Sequence, residues 1–300
     1  MIFLVGIAAA LSLGLGYVLQ QRVASTAPLS EVLHFRLLYD LMHRPLWWAG
    51  IGAMVVGQVL SGYALQLATV ALVEPLLSTS LLFALVFSSL LSRIRIRWTE
   101  IAGAALLSAA LGVFIYVGNP RSSDRPKAHT LVIVIAVLAV LAIVAFLVTV
   151  AKRKPLISES ILLAAAAGVL YGMQDASTRG ALVAFDRRGL LHIFVSPWLY
   201  IVLAAAVIGI LLAQSAFKTA RLDYSLPPIT ATEPVVGIVL GVTLLGDDIS
   251  VTPLALALES LCLVAMIAGV ALIGRSANLA ACGRPMPQIS PVPASRADSV

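Results

Sequence analysis

The sequence predicts an all-α polytopic membrane protein, with about nine transmembrane helices arranged as an inverted structural repeat. Three observations carry that expectation: the composition, the spacing of the apolar segments, and a likeness between the two halves. Of the 300 residues 60% are hydrophobic and only 11% charged, and the mean hydropathy is +1.02. A water-soluble domain of this length has no use for so much apolar surface. The net charge of +6 does not point to nucleic acid, because the Lys and Arg residues stand in short groups between apolar segments, as in cytoplasmic loops.

Nine apolar segments fall at roughly 1–20, 46–68, 70–92, 98–118, 130–150, 158–178, 197–217, 226–245 and 253–273. Each is close to the ~20 residues needed to cross the hydrocarbon core. The first reads as a span and not as a removable signal, since it lacks a basic start. Residues 21–45 hold Arg22, Glu31, His34, Arg36, Asp40, His43 and Arg44, too many charges for lipid, and are expected as a loop with an amphipathic surface helix at most. From Arg275 onward the chain is rich in Pro, Ser and Ala, and residues 275–300 are expected to form a disordered cytoplasmic tail.

Basic residues set the orientation. The connections after odd-numbered segments, with the tail, carry 14 Lys and Arg against 6 on the other side, which places the C-terminus in the cytoplasm and the N-terminus outside. With this layout the chain belongs in the plasma membrane. Cys262 lies within an apolar segment and Cys282 in the tail, so no disulfide and no metal site is expected.

The two halves look alike. A shift of about 152 residues lays Ala68 on Ala220 and Pro75 on Pro227, a shift of 153 lays Thr99 on Thr252, and a shift of 157 lays Arg22 on Arg179. Corresponding segments are five apart, an odd number, so the copies run in opposite senses through the membrane, as in secondary transporters. The resulting division is a first repeat at 1–120, a linking helix within 121–157, and a second repeat at 158–274.

The most informative segment is Leu226 to Leu245, 20 residues with a single charge, Glu233. Stepping by three and four places Thr230, Glu233, Gly237 and Gly241 on one stripe, with Gly237 and Gly241 suited to helix packing. A carboxylate about 10 Å below a helix start costs several kcal/mol if it faces lipid, so an intramembrane Glu marks a transport pathway or relay unless it only ties two helices together. Pro234 beside it frees a backbone carbonyl, which suits a kink at a cavity.

Other segments carry polar stripes. Gly168, Tyr171, Asp175 and Thr178 form one, Gln58, Gly62 and Gln66 another, and Gly14, Tyr17 and Gln21 a third. Glu74 opens the third segment near the wet interface, with Ser78 one turn on. Taken together, Glu233, Gln58, Tyr171, Asp175, Glu74 and Thr230 are the expected lining of one pathway. The plainer alternatives are an Asp175–Arg179 pair one turn apart, a structural Glu259, and Glu100 as a solvated partner of Arg93, Arg95 and Arg97. Trp47, Trp48, Trp98 and Trp198 sit at segment ends and read as interface anchors. There is no G-x-S-x-G, Walker A, H-E-x-x-H or paired-Cys motif, so neither an enzyme nor a cofactor is expected.

Two stretches resemble a known family. TATEPVVGIVLGVTLLGDD is similar to the penultimate helix of EamA-type members of the drug/metabolite transporter (DMT) superfamily, whose Glu-Pro apolar run ends in Leu-Gly-Glu where this chain has Leu245-Gly246-Asp247. RPLWWAGIGAMVVGQVLSGYALQLATVALVEPLL resembles the second and third helices of the NIPA-type magnesium transporters in that superfamily, through Trp47 to Gly50 and Leu72-Val73-Glu74-Pro75. The resemblance implies a transporter that moves a small solute by alternating access without ATP, with Mg2+ as one cargo; the expected partners are the lipid bilayer, the solute and, as one assembly, a second copy in a homodimer. A proton-coupled exporter of an organic metabolite or drug fits the same residues, and a membrane scaffold or sensor without transport is the rival from another class. Which group would hold a metal is open at this stage.

Overall fold

Nothing but helix and turn is found in the computed structural model, which describes residues 2–67, 76–77, 79–92, 97–118, 130–188, 194, 196–246 and 252–282. Among the described residues ten α-helices follow in order: α1 (Ile2–Ala24), α2 (Phe35–Met42), α3 (Pro45–Leu67), α4 (Ser80–Ser92), α5 (Trp98–Gly118), α6 (Thr130–Ala151), α7 (Leu156–Arg188), α8 (Pro197–Thr219), α9 (Leu222–Leu240) and α10 (Pro253–Cys282). Among the described residues seven helices are long and apolar enough to cross a membrane: α1, α5, α6, α7, α8, α9 with the turn that follows it, and α10. The chain is therefore an all-α, multi-pass membrane protein. α3 covers the expected second segment but is not one of the seven, and only the latter part of the third segment is described, as α4.

Composition explains which helices lie inside. α6 is almost purely aliphatic, and only 11% of its apolar stretch is buried, so its flanks meet lipid. α5 and α7 are rich in Ala and Gly and are over half buried, because small residues let neighbouring backbones close in. α1 packs on α3 and α4, α7 packs on α6, α8 and α9, and α5 packs on α10. At Gly16 a Cβ would stand 2.9 Å from Gly50 O, and at Gly269 it would stand 2.8 Å from Gly103 O, so α1–α3 and α5–α10 both touch backbone to backbone.

α9 keeps three prolines, Pro227, Pro228 and Pro234, within its span. Each removes a backbone donor and leaves the carbonyl four residues earlier, at Asp223, Tyr224 and Thr230, without its helical N–H partner. Thr230 Oγ1 donates to Pro227 O at 3.1 Å and Thr232 Oγ1 to Pro228 O at 2.8 Å. The helix widens into a π turn at Gly241–Leu245, and Gly246, at φ 73°, ends it in the left-handed region that glycine enters without steric cost.

The helix α10 runs on to Cys282, past Arg275 where the tail was expected to begin, and the residues beyond 282 lie outside those described. Two expectations need correction. Glu100 is not solvated: it is 3% exposed, and its Oε2 accepts the backbone N–H of Arg97 at 3.1 Å. Trp47 and Trp198 are buried, Trp198 against Gly180, and only Trp48 and Trp98 stand exposed as anchors would. Glu259 is half-buried on α10 and faces Gly118 of α5, a helix contact as expected of a structural acid. The surface helix in 21–45 is α2, which buries Leu37 and Leu41 and exposes Tyr39 and Met42.

Gly172→Ala is expected to lower the thermal unfolding midpoint in detergent, at a cost of about 1–3 kcal/mol, because the added Cβ would stand 2.5 Å from Glu233 O and 2.8 Å from Gly237 N. Gly52→Ala, with nothing within 4 Å, is expected to leave the midpoint unchanged or raise it. Equal midpoints for the two variants would contradict the close α7–α9 contact.

Candidate functional site

The close approach of α7 to α9 is what positions Glu233. A Cβ at Gly168 would stand 2.7 Å from Ile229 O, and Gly237 returns the contact 3.8 Å from Gly172 O. Glycines on both sides thus let the backbone of 229–237 lie directly on α7. Thr232 adds a polar tie, its Oγ1 lying 3.2 Å from Ala165 O. With that face pressed on α7, Glu233 is half-buried and not enclosed.

α1 supplies the facing wall. Tyr17 lies within electrostatic range of Glu233, Tyr171 and Asp175, and Tyr171 within range of Glu233. Four polar side chains from α1, α7 and α9 therefore share one region. Tyr17, Tyr171 and Glu233 are half-buried, whereas Asp175 is exposed. Asp175, exposed on α7, is in range of Tyr17, and because a carboxylate is costly in hydrocarbon, this side of α7 is the one expected to meet water. Tyr171 is itself backed by Gly209 of α8, where a Cβ would stand 2.8 Å from the ring.

Two carboxylates and two phenols make a versatile set. The carboxylates accept hydrogen bonds, take up a proton or hold a cation, and the phenols donate hydrogen bonds and offer ring faces. Among the described residues no group of three or more His, Cys, Asp and Glu side chains is placed to hold a metal ion.

The expected pathway residues divide. Glu233, Tyr171 and Asp175 come together. Thr230 is half-buried on the same helix, with its hydroxyl turned back on Pro227 O. A Cβ at Gly237 would stand 3.8 Å from Gly172 O, and Gly241 is buried at the start of the π turn. Gln58 is exposed on α3, which packs on α1 and α2, and no described contact joins it to the group. Glu74 and Ser78 lie outside the described residues.

Tyr17 enters the sequence reading only as part of a stripe, yet the chain holds a sharper signal for it. Gly14, Tyr17 and Gln20 recur with identical spacing as Gly168, Tyr171 and Gln174, a shift of 154. The two glycines do matching work: a Cβ at Gly14 would meet Ser80 O of α4 at 2.8 Å, as one at Gly168 meets Ile229 O of α9.

The chain is 27% identical over 279 residues to a protein of Corynebacterium glutamicum that is named only as uncharacterised; the alignment takes in 93% of this chain and 96% of that protein. No family model matches the chain, and no solved structure matches it.

Asp175→Cys, in a chain whose Cys262 and Cys282 are replaced by Ser, is expected to react readily in micelles with a membrane-impermeant maleimide. Ala176→Cys, next to it but 1% exposed in the parent, is expected to stay unmodified. Reaction at 176 and protection at 175 would reverse the assignment of the water-facing side of α7.

Proposed function

We propose that the chain is a secondary transporter of the drug/metabolite transporter type, which moves a small solute by alternating access past Glu233, with no ATP requirement. The observation that carries this reading is the meeting of Glu233, Asp175, Tyr17 and Tyr171, from three membrane-length helices, in one region of the bundle. A scaffold or sensor gains nothing from leaving an acid exposed inside its own bundle.

The reading extends to nine spans, with α3 and the helix that includes α4 added to the seven, and to an inverted repeat. Support for the repeat lies in how the helices pair. α1 packs on α3 and α4 as its counterpart α7 packs on α8 and α9, while α5 and α10, counterparts of each other, pack together. The matched glycines at 14 and 168 act in the same way in the two halves. The distribution of basic residues supports a cytoplasmic C-terminus, and plasma-membrane residence is part of the same reading.

Mg2+ is the cargo that the NIPA-type resemblance names, and an all-oxygen set with two carboxylates suits a cation that keeps much of its water. The paired tyrosines favour a second reading, an organic metabolite moved in exchange for protons, since ring faces add nothing to a hydrated metal ion.

Reconstitution of the full chain into liposomes with Mg2+-sensing and pH-sensing dyes tests the proposal. A solute-dependent signal is expected in one of the two assays, reduced about tenfold or more by Glu233→Gln, which removes the charge and keeps the shape. Equal transport by the variant would overturn the role of Glu233. A signal in the pH assay alone would select the organic cargo.

A further inference from the structure

α3 packs on α1 and α2, and its opposite side is exposed. It lies along α1 in the reverse direction: a Cβ at Gly50 would stand 2.9 Å from Gln20 Cγ, and one at Gly57 would stand 2.7 Å from Leu13 Cγ and 3.1 Å from Ala9 O. α1 is long and apolar enough to cross a membrane, and this register sets residues 57 and 58 beside Ala9 and Leu13, near its middle. Gly50, Gly57, Ser61 and Ala64 are buried, whereas Val55, Gln58, Val59 and Gly62 are exposed. Those four exposed residues follow one another by three and four, so they share one face of the helix.

Gln58 is out of place on that face. Its carboxamide carries two N–H donors and an acceptor oxygen, and at this depth lipid serves none of them. Exposed hydroxyls elsewhere on the membrane-length helices avoid the cost by turning back on their own backbone. Thr149 Oγ1 donates to Ala145 O at 2.7 Å, Thr243 Oγ1 to Val239 O at 2.8 Å and Ser260 Oγ to Leu256 O at 2.8 Å. Gln58 makes no such return, and among the described residues it has no hydrogen-bond partner.

A second copy of the chain supplies what is missing. A carboxamide both donates and accepts, so it pairs with its own counterpart across a two-fold axis along the membrane normal. The neighbours on the face suit such a contact. At Gly62 nothing lies within 4 Å of where a Cβ would stand, which leaves room for a second backbone, and Val55 and Val59 are stiff side chains with little freedom to lose on packing. The lipid-facing sides of α6 and α10 are of another kind: they present Ile135, Leu138 and Phe146, and Leu261, Val264 and Ile267, hydrocarbon for which lipid is an equal neighbour.

We infer that the outer face of α3, centred on Gln58, is the surface through which two copies of this chain pair in the membrane. The inference stands on the packing of α3 and not on the transport reading, and no arm of its test reads flux.

Pairing is measured in liposomes, in the full chain with Cys262 and Cys282 replaced by Ser. Val59→Cys, next to Gln58, is expected to form a disulfide-linked dimer under copper phenanthroline in the time that Ile267→Cys on α10 stays monomeric, although the two positions are matched in exposure, at 67% and 69%. Adding Gln58→Leu to Val59→Cys is expected to slow the crosslinking about tenfold, whereas Gln58→Asn, which keeps a carboxamide, is expected to stay within about threefold of the parent rate. Leucine at an exposed site on a lipid-facing helix leaves the packing of the single chain as it is, so the slower rate reports lost pairing. Crosslinking at 59 no faster than at 267, or unchanged by Gln58→Leu, would overturn the inference. So would ready reaction of Gln58→Cys with a membrane-impermeant maleimide, because that position would then face water and not a second copy.

Discussion

Everything in this structure answers to one constraint: a carboxylate placed inside a membrane-length helix must be kept out of hydrocarbon. Glu233 meets it through the glycine contact between α7 and α9, where Gly168 and Gly172 let the backbone at 229–237 press onto α7. The prolines of α9 act in the same direction, since each leaves backbone acceptors that need protein or water nearby. Remove the close approach and neither the acid nor the broken hydrogen-bond ladder has a suitable place to be.

The same contact orders the site and explains its asymmetry. α9 is buried from Leu222 to Ile229 and half-buried from Thr230 to Ile238, a stretch that includes Glu233. Tyr17 and Tyr171 approach that acid from different helices at positions that repeat in the sequence, each three residues after a glycine that seats its own helix. The site therefore draws its side chains from α1, α7 and α9, and not from one helix alone.

Much of the architecture was legible in the chain. Long aliphatic runs such as 130–150 read as spans because lipid accepts little else, and α6 runs from Thr130 to Ala151. Charge density marked 21–45 as a surface connection, and Leu37 and Leu41 on α2 bear out its amphipathic helix. Glu233, Tyr171 and Asp175 stand out in the sequence because polar groups at helical spacing in an apolar run are too costly in lipid to be incidental. What failed were inferences from sequence neighbours alone. Glu100 follows three arginines and so looked solvated, but it is buried, near Asp223, because tertiary packing brings α9 over it. Trp47 and Trp198 stand at helix ends, yet which side of a helix end faces the bundle is set by packing that spacing does not reveal. Gln58 shows the same limit: a polar residue on a stripe says that the stripe is special, and nothing about which other stripes it meets.

The most direct measurement concerns what surrounds residue 233. A nitroxide attached at Glu233→Cys in lipid bilayers, compared with one at Ile267→Cys on the exposed face of α10, reports collision rates with a water-soluble nickel complex and with oxygen. Collisions with nickel are expected to dominate at 233 and those with oxygen at 267. Oxygen-dominated collisions at 233, matching those at 267, would mean that the acid faces the acyl chains and would contradict the sheltered, water-lined site.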